Sequence, residues 1–351
     1  MKIVATVDYV QKKQIGAGQG MNSTVFLADD PQLAAEVAVK EIPLSKLGND
    51  PGKYFAEAKT MFASEHKNVL PIRYACRTAD RICLAMPFCN AGSLADRIRN
   101  NPLSLREAQR VGIGILNGLA QVHLAGFVHF DLKPTNVLFG ASDEPLVADF
   151  GQSRRMANGI VQTAPPLYKW TFPPETIQNG TGSLLSDVYH VGVTLYRAVN
   201  GEPIFADQRQ AALADVKAAI LSGRFPDRGF FLPHVPKRFR TIIRKALQVD
   251  PTLRHQSAIE FVDQLAGLSI GVDWSTSISP DVFEWNGTPP GLARLIVRME
   301  KDSSGRWDVS VNAVGSSGKV RAKAKALYWK KSLTRSQAFA HLKTVFEELS
   351  S

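Results

Sequence analysis

The 351-residue sequence predicts an α+β protein in which a β-rich part, a helical part and a small β-β-β-α unit follow one another. Three observations predict this order. Short apolar runs such as 25–28 and 37–40, separated by turns, dominate the first 86 residues and are typical of strands. Apolar residues then recur at helical spacing as far as Leu268. Beyond residue 290, three alternating segments precede one amphipathic helix.

The helical part contains five amphipathic segments. The predicted helices are 105–125, 187–200, 207–221, 236–247 and 257–265. Residues 269–290 are rich in Ser, Pro, Gly and Asp, which predicts a linker. After the linker we expect a small domain. Its predicted elements are strands at 292–300, 306–314 and 319–329 and a helix at 334–349 that Thr334 caps.

The composition indicates a globular protein with more than one domain. Hydrophobic residues make up 44% of a chain that is too long for one small core. The longest apolar region, 111–128, is interrupted by glycines and polar residues, so we predict a buried helix there and no membrane segment. The N-terminus runs into a strand pattern without a signal-peptide layout. Three cysteines, an odd number, fit reduced thiols, and a cytoplasmic location is expected.

The most informative motif lies at residues 129–136, with Asp149-Phe150-Gly151 following thirteen residues after Asn136. Asp131 can take the proton of an attacking hydroxyl group, as a positioned carboxylate does in general-base catalysis. Asn136 and Asp149 can hold a metal ion against nucleotide phosphates through their side-chain oxygen atoms. To transfer a γ-phosphoryl group, a protein mainly has to position the reacting groups and neutralise their charge. This set is therefore sufficient if it converges on one cleft.

A glycine-rich turn precedes this motif. Gly18, Gly20 and Ser23 lie between two strand-like segments, 4–10 and 25–28, so the turn is predicted to be the tip of a hairpin. Glycines at such a tip let backbone amides approach phosphates and adopt positive φ angles. Taken alone, the pattern also fits a plain turn.

Lys40 closes an apolar strand fifteen residues after Val25, and its charge could bind a nucleotide phosphate. The alternative for a lysine in this place is an edge position that faces water. A buried lysine needs a carboxylate, and Glu57, nine residues before His66 in a predicted helix, is the preferred candidate. The other candidates are Glu36, Glu41 and Glu65.

Three further motifs follow downstream. Glu175 ends a Pro-Pro-Glu triplet, Asp187 lies in the segment 186–193, and Arg254 closes an Asp-Pro-x-x-Arg segment. With the upstream motifs, they follow the order and intervals of a known family. The sequence resembles the protein kinase family, specifically its eukaryotic-like serine/threonine kinases, and a soluble bacterial member is the expectation. The resemblance covers residues 18–254.

The resemblance implies the two-lobed protein kinase fold over residues 1–268. The β-rich N-lobe would span 1–86, the hinge 87–91 and the helical C-lobe 92–268. The resemblance does not explain residues 291–351, which are predicted to form a small basic α+β accessory domain.

The resemblance also implies ATP as cosubstrate, with Mg²⁺ or alternatively Mn²⁺ as the metal. Lys40, paired with Glu57, would contact the α- and β-phosphates, and Asn136 and Asp149 would bind the metal ions. Asp131 would deprotonate a protein Ser or Thr hydroxyl, and Lys133 would neutralise the γ-phosphate. The nucleotide pocket would be formed by Gly18, Gly20, Ser23, Val25, Ala38, Lys40, Met86, Phe88 and Cys89.

Three residues have implied structural roles. Asp187 would brace the catalytic loop by bonding to its backbone. Glu175 and Arg254 would form a buried ion pair. Removal of one partner would leave a buried charge, at a cost of about 3–5 kcal/mol.

Two departures from the family pattern bear on regulation and specificity. Phe130 replaces the arginine that receives the activation-loop phosphate in many kinases, so we expect phosphorylation of this loop not to be the main switch. Tyr168 stands where Ser/Thr kinases usually have a threonine, which leaves the Ser/Thr preference less secure than the activity. The candidate phosphorylation sites are Ser153, Thr163, Tyr168 and Thr171, and a packing role is the alternative for Tyr168.

Two other functions remain open at the level of sequence. One is a nucleotide-binding scaffold that presents the C-terminal domain, although such a scaffold has no need of intact Lys40, Asp131, Asn136 and Asp149. The other is a kinase for small molecules. Against it, the segments around Asp187, Glu175 and Arg254 are complete, which favours a protein substrate.

The third predicted strand of the C-terminal domain is strongly basic. Cations at every second position face one side of a strand, and the whole chain carries a net charge of +10. The alternating cations are Lys319, Arg321, Lys323 and Lys325. An edge strand that lysines protect from aggregation would show the same pattern. An acidic protein partner or an intramolecular contact is the functional alternative. Nucleic acid is less favoured, and no membrane contact is expected.

Overall fold

A computed structural model describes residues 6–16, 23–47, 55–162, 168–289, 293–314, 320–323 and 326–349. Within these residues the chain forms two lobes, as predicted, and a third layer built on a C-terminal sheet. The helices are α1 (Leu44–Leu47), α2 (Ala56–Ala63), α3 (Leu94–Arg97), α4 (Leu105–Leu124), α5 (Pro174–Asn179), α6 (Leu184–Asn200), α7 (Glu202–Ala211), α8 (Val216–Leu221), α9 (Lys237–Ala246), α10 (Ala258–Ala266) and α11 (Arg335–Leu349).

An antiparallel sheet of five described strands, in the order β1-β2-β3-β5-β4, forms the N-lobe. The strands of this lobe are β1 (Val10–Ile15), β2 (Thr24–Asp30), β3 (Ala35–Pro43), β4 (Tyr74–Arg77) and β5 (Arg81–Pro87). Its register places Lys40 opposite Val25 and Ala38 opposite Met86, so four of the predicted nucleotide-pocket residues are neighbours. The first strand begins at Val10, later than the predicted segment 4–10, of which residues 4 and 5 are not described.

Helix α6 forms the centre of the C-lobe. All its residues from Ser186 to Asn200 are buried, as expected of a helix that other elements surround on every side. Helix α4 packs beside it and approaches the N-lobe closely at a glycine. A Cβ atom on Gly118 would lie 2.5 Å from the backbone oxygen of Asn68. The glycines that interrupt the apolar region 111–128 therefore serve helix packing in a buried helix.

Two-stranded ribbons complete the C-lobe near the cleft. One pairs β6 (Phe127–Val128) with β9 (Arg154–Arg155), and the other pairs β7 (Val137–Phe139) with β8 (Pro145–Val147). The catalytic-loop segment 129–136 lies between β6 and β7.

The predicted helix 207–221 is wrong, because the chain forms two helices there, α7 and α8. The side chain of Asp215 accepts a hydrogen bond from the backbone N–H of Ala218 at 2.9 Å and caps α8. Such a cap begins a new helix and ends the continuous pattern. The first of the two helices also starts earlier than predicted, at Glu202.

The predicted linker is also wrong, because it contains two strands. These are β10 (Ser275–Ile278) and β11 (Val282–Gly287), and β11 pairs with β12 (Arg294–Lys301). Along β11, Phe283, Trp285 and Gly287 are buried and alternate with partly exposed residues. This alternation is the signature of a half-buried strand, and the polar composition of the segment hid it.

The third predicted strand of the C-terminal unit, 319–329, is too long, because the strand formed there ends at Lys323 and a further strand begins only after the predicted end. β14 (Val320–Lys323) and β15 (Lys330–Leu333) both pair with β13 (Trp307–Val314), one near each end of it. A 3-10 turn, Ala326–Tyr328, separates the two short strands. Lys319 and Lys325 lie outside the described residues, so the basic stripe stays a prediction.

The C-terminal helix α11 is confirmed, with its predicted cap. The backbone N–H of Gln337 donates to Thr334 Oγ1 at 3.2 Å, and the N–H of Thr334 donates to Gln337 Oε1 at 2.9 Å. This reciprocal pair is a capping box. The predicted apolar face of the helix is buried, at Phe339, Leu342, Val345, Phe346 and Leu349.

The C-terminal sheet and the C-lobe share one hydrophobic core. The indole Nε1–H of Trp285 donates to Nδ1 of His234 at 2.9 Å, and the ring of Phe346 lies 5.4 Å from Trp285 and 6.1 Å from His234. At the edge of this contact, Asp273 accepts hydrogen bonds from Ser104 Oγ at 2.9 Å and from the backbone of Arg106 at 3.0 Å. The C-terminal unit is therefore packed against the helical lobe.

Burial of His234 makes the stability of this contact depend on pH. Desolvation lowers the pKa of His234 to about 3, below the value of about 6.5 expected in an unfolded chain. Below about pH 6.5, His234 binds a proton in the unfolded chain but not in the folded protein. The free energy of unfolding should therefore fall as the pH drops, by at most about 1.4 kcal/mol per pH unit from this group. Denaturant unfolding at several pH values between 5 and 8 measures the slope.

The His234→Gln variant is the control for this slope, because its amide oxygen can accept the Trp285 hydrogen bond and does not titrate in this range. Comparison with the variant isolates His234 from other histidines, such as His129, whose pKa is also lowered by burial. Equal slopes in the two proteins would contradict the assignment.

Within the described part of the chain, no helix combines the length and the apolar character required to cross a membrane.

Candidate active site

Lys40 lies at the centre of the cleft between the lobes. Its Nζ is 2.7 Å from Oε1 of Glu57 on α2 and 2.7 Å from Oδ1 of Asp149. Of the four candidate glutamates, Glu57 is thus the partner, whereas Glu41 accepts from Tyr9 at 2.7 Å and Glu36 pairs with Lys12 at 3.0 Å. Burial alone would lower the pKa of Lys40, but the charges of Glu57 and Asp149 outweigh it and raise this pKa. The lysine is therefore held as a cation.

Asp149 takes an unusual backbone conformation, with φ at +63°. Aspartate tolerates this left-handed region better than most residues. Burial would raise the pKa of the Asp149 carboxylate, but the nearby charge of Lys40 lowers this pKa to about 2. Asp149 is thus ionised at neutral pH and directed into the cleft, and Gly151 next to it lies close enough that a Cβ there would be 3.4 Å from Lys40 Nζ.

Asp131, Lys133 and Asn136 form a second cluster on the C-lobe side. Lys133 Nζ lies 2.7 Å from Asp131 Oδ2, and Asn136 Nδ2 donates to the same carboxylate oxygen at 3.0 Å and to the Asp131 carbonyl at 2.7 Å. Asp131 is buried, with 7% of its surface exposed. The amide nitrogen of Asn136 faces Asp131, and its oxygen accepts a hydrogen bond from Thr135 Oγ1 at 3.3 Å, which leaves this oxygen a second lone pair for another ligand.

Asp187, at the start of α6, holds the backbone of the catalytic loop. Its carboxylate accepts hydrogen bonds from the N–H groups of His129 at 2.8 Å and Phe130 at 2.9 Å, and Nε2 of His123 lies 2.9 Å away. Burial would raise the pKa of Asp187, but the hydrogen bond with His123 lowers it strongly. A permanently charged acceptor therefore anchors the loop that carries Asp131.

Glu175 and Arg254 form a bidentate ion pair. The two nitrogen–oxygen distances are 3.0 and 2.8 Å, and Ser186 Oγ donates to the same glutamate at 2.7 Å. The guanidinium group is fully buried. Burial would raise the pKa of Glu175, but Arg254 lowers it. The pair connects the first turn of α5 to the loop before α10.

The hinge follows β5. Met86 is buried beside Ala38, and the chain turns where the N–H of Gly92 donates to the Cys89 carbonyl at 3.2 Å. Cys89 is half-buried, and burial raises the pKa of its thiol to about 11, so it is protonated at neutral pH. Pro87 has no N–H, so the nearest backbone donors for a ligand are on Phe88 and Cys89.

Phe130 lies in an apolar cluster with Val128, Met156 and Val161. It is fully buried, and a Cβ on Gly182 would lie 2.3 Å from its ring. The backbones of Val161 and Gly182 exchange hydrogen bonds of 2.8 and 3.1 Å. The sequence identified Phe130 as a departure from the family pattern. It did not predict this cluster, because Val161 and Gly182 carry no local signal for it.

The candidate phosphorylation sites differ in accessibility. Thr171 is 2% exposed, and its Oγ1 donates to the Tyr168 carbonyl at 3.1 Å. Tyr168 is 41% exposed, Ser153 is half-buried, and Thr163 lies outside the described residues. Of the described candidates, Tyr168 is thus the most accessible and Thr171 the least.

The site residues fit a nucleotide with a divalent cation. The carboxylate of Asp149 and the amide oxygen of Asn136 are oxygen ligands of the type that Mg²⁺ prefers. Among the described residues, no group of three or more His, Cys, Asp or Glu side chains could hold a metal by itself. A pair of protein oxygens suits an ion whose other ligands are phosphates and water.

Comparison with known proteins decides the family. The model of the protein kinase domain matches residues 9–264. The chain belongs to the protein kinase family. The two-lobed kinase fold predicted from the motifs is therefore confirmed, and the family match ends before the C-terminal sheet, whose first strand begins at Ser275.

This kinase is similar to serine/threonine kinases of bacteria and eukaryotes. It is 28% identical to the serine/threonine-protein kinase PknJ of Mycobacterium tuberculosis, over 75% of this chain and 46% of the relative. It is 27% identical to the serine/threonine-protein kinase PrkC of Bacillus subtilis, over 69% and 38%. It is 30% identical to human ribosomal protein S6 kinase alpha-2, over 71% and 34%. The kinase thus spans less than half the length of these relatives.

Proposed function

We propose that this kinase transfers the γ-phosphoryl group of ATP to serine and threonine hydroxyls of proteins. The observation that carries the proposal is that two charged clusters adjoin, Lys40 with Glu57 and Asp149, and Asp131 with Lys133 and Asn136. The backbone N–H of Ala148, next to Asp149, donates to the Asn136 carbonyl at 2.9 Å and joins them. Similarity to bacterial and eukaryotic serine/threonine kinases supports the choice of acceptor.

The adenine ring is proposed to lie against Val25, Ala38 and Met86, which the strand register brings together. Backbone groups of Phe88 and Cys89 would bind its polar edge, since Pro87 has no donor. Gly18, Gly20 and Ser23 would cover the phosphates, but the two glycines lie outside the described residues. Lys40 is already charged and positioned by Glu57, so it would bind phosphate oxygens without further rearrangement.

Asn136 and Asp149 would hold Mg²⁺, or Mn²⁺ in its place. The bound cation would supply neutralisation of the phosphate charge that develops during transfer. Asp149 is suited to this role because Lys40 keeps its pKa near 2, so the ligand is ionised throughout the physiological range.

Asp131 is proposed to orient the acceptor hydroxyl and take its proton. Lys133, 2.7 Å from the Asp131 carboxylate, is close enough to neutralise charge on the phosphoryl group. The Asp187 hydrogen bonds to the backbone of His129 and Phe130 keep this loop in place, so the reacting groups lose little freedom during transfer.

The Phe130 cluster favours a position of the chain around Val161 that does not depend on phosphorylation. Phe130 contributes apolar packing where an arginine would offer a phosphate site, and the Val161–Gly182 hydrogen bonds hold the segment by its backbone. We therefore propose that loop phosphorylation is not the main switch of this kinase.

Removal of the candidate phosphate acceptors tests this regulation. The double variant Ser153→Ala with Thr163→Ala is expected to retain most of the wild-type kcat/KM, because Phe130 offers no charge to a loop phosphate. Phe130→Ala should instead lower the free energy of unfolding by about 3–5 kcal/mol, as truncation of a buried phenylalanine does. Initial-rate kinetics and denaturant unfolding measure the two effects. Loss of activity in the double variant, with the fold intact, would overturn this regulation.

The rate of ADP formation tests the proposed activity. We expect formation of ADP to need Mg²⁺ or Mn²⁺, to stop in EDTA and to rise when a generic protein acceptor is added. The variant Asp149→Asn keeps the size of the side chain but removes the charge of a metal ligand. Its apparent affinity for Mg²⁺ and its rate of ADP formation should both fall. ADP formation that protein acceptors leave unchanged, but that small-molecule acceptors raise, would overturn the proposal.

A further inference from the structure

The side chain of Tyr168 has no part in the proposed transfer reaction, although it lies next to a residue of the catalytic cluster. It is 41% exposed, so it contributes little to the hydrophobic core. Trp170 and Thr171, which follow it, are 7% and 2% exposed. These two residues therefore hold the segment on the C-lobe, whereas the tyrosine projects from it.

A tight turn fixes the backbone from which this side chain projects. The Tyr168 carbonyl accepts hydrogen bonds from the N–H of Thr171 at 3.0 Å and from Thr171 Oγ1 at 3.1 Å. Inside the turn, Trp170 packs against Phe225 with 5.6 Å between the ring centroids. The position of the Tyr168 ring is therefore set by an anchored backbone.

The Tyr168 ring contacts the ammonium group of Lys133. Lys133 Nζ lies 5.7 Å from the ring centroid, within the distance of about 6 Å over which a ring face attracts a cation. The same nitrogen lies 2.7 Å from Asp131 Oδ2. Only 16% of the Lys133 side chain is exposed, which strengthens an attraction of this kind. Lys133 is thus held by both a carboxylate and an aromatic ring.

Arg209 holds the other end of the tyrosine. A guanidinium nitrogen of Arg209 donates to the Tyr168 hydroxyl oxygen at 3.3 Å. Arg209 also pairs with Glu202 at 3.2 Å, and Glu202 binds the buried Arg197 at 2.7 Å. A series of contacts therefore connects α7, through Tyr168, to the lysine beside the catalytic base.

We propose that Tyr168 is a positioning residue for phosphoryl transfer and that it acts through Lys133. Its ring restricts the long side chain of the lysine, so the ammonium group stays beside Asp131 while the acceptor approaches. The inference rests on the proposed transfer reaction and adds a residue that supports it. Because the ring face makes the contact, the hydroxyl group has a minor role.

Replacement of the ring in the full-length protein tests this role. Tyr168→Leu is expected to lower kcat for a generic protein acceptor about two- to fivefold, the effect of one cation–ring contact of moderate strength. The KM for ATP should stay the same, because Lys40 and Asp149 belong to the other cluster. Tyr168→Phe keeps the ring and should retain most of the wild-type kcat.

A double-mutant cycle shows whether the ring acts through Lys133. Lys133→Met removes the ammonium group, and in this background Tyr168→Leu should have almost no further effect on kcat. A ring that only stabilises the fold would cause the same loss with and without the lysine. The matched control is Leu213→Ala, which truncates a residue that is 51% exposed on the same lobe and should leave kcat unchanged.

The outcomes separate the inference from the proposed activity. A loss in Tyr168→Leu that is absent in Tyr168→Phe and in the Lys133→Met background supports the inference. Wild-type kcat in Tyr168→Leu, or an equal loss with and without Lys133, overturns it and leaves protein phosphorylation in place. An equal loss in the leucine and phenylalanine variants also overturns it, because the hydroxyl group would then be the essential part.

If the wild-type protein phosphorylates no protein, the proposed function fails and the inference fails with it. If Lys133→Met is too slow to measure, the comparison of Tyr168→Leu with Tyr168→Phe decides the case. Denaturant unfolding of each variant verifies that the fold is intact.

Discussion

Replacing Asp131 with asparagine is expected to lower the rate of phosphoryl transfer by about 10²–10⁴-fold, the range that a positioned general base contributes. The amide has nearly the same shape as the carboxylate but cannot take the proton of a hydroxyl group. The charge of the Asp131 carboxylate also holds Lys133, whose Nζ lies 2.7 Å away, so in the variant this lysine would lose its partner. The affinity for ATP should change little, because Lys40 and Asp149 belong to the other cluster.

Single-turnover kinetics and a titration with ATP measure these two effects separately. The control is Asp281→Asn, which removes an exposed carboxylate of the C-terminal sheet that pairs with Lys301 at 3.5 Å. The control should leave the rate and the ATP affinity unchanged. An Asp131→Asn protein with wild-type turnover would show that another residue acts as the base.

Replacing Trp285 with alanine is expected to lower the free energy of unfolding by about 3–5 kcal/mol, as truncation of a buried tryptophan does. Trp285 is fully buried in the core that the C-terminal sheet shares with the C-lobe. The change would remove the hydrogen bond to His234 as well as the ring contact with Phe346, at 5.4 Å. It would leave the nitrogen of a buried imidazole without its donor, which adds to the cost.

Denaturant unfolding, followed by both far-ultraviolet circular dichroism and tryptophan fluorescence, measures this effect. Because the core is continuous, we expect the C-lobe and the C-terminal sheet to unfold in one transition. The control is Leu327→Ala, which truncates a residue that is 56% exposed in the same unit. A Trp285→Ala protein with nearly unchanged stability, or two well-separated transitions in the wild type, would contradict a shared core.

The cleft could be predicted from the sequence because its residues belong to motifs with strict local geometry. Lys40 ends an apolar run on β3 and pairs with Val25 on the neighbouring strand β2. The two strands follow each other in the sequence, so this pairing is local. The choice of Glu57 among four glutamates rested on spacing, and the 2.7 Å contact with Lys40 agrees with it.

The C-terminal unit was predicted less well because its structure depends on contacts between distant residues. The segment predicted as a linker forms β10 and β11, since Trp285 contacts His234 of the C-lobe and Phe283 contacts Phe339 of α11, partners that lie far away in the sequence. The strand predicted at 319–329 ends at Lys323, and β15 begins after the predicted end, because β13 pairs with two short strands, one near each of its ends. Sequence alternation cannot tell one long strand from two.

The surroundings of Phe130 and Tyr168 were accessible only in part. Both residues stood out because they depart from the family pattern. Their neighbours, Gly182 for Phe130 and Arg209 for Tyr168, lie 52 and 41 residues away in the chain and carry no motif. The sequence therefore identifies the two residues, whereas only the structure shows how they are packed.

The most direct test of the central claim is to locate the transferred phosphate by mass spectrometry after incubation of the full-length kinase with ATP, Mg²⁺ and generic protein substrates. The account predicts phosphoserine and phosphothreonine with the wild-type protein and neither with Asp131→Asn or Lys40→Met. Binding of ATP without any phosphorylated residue, or phosphate found only on small molecules, would contradict it.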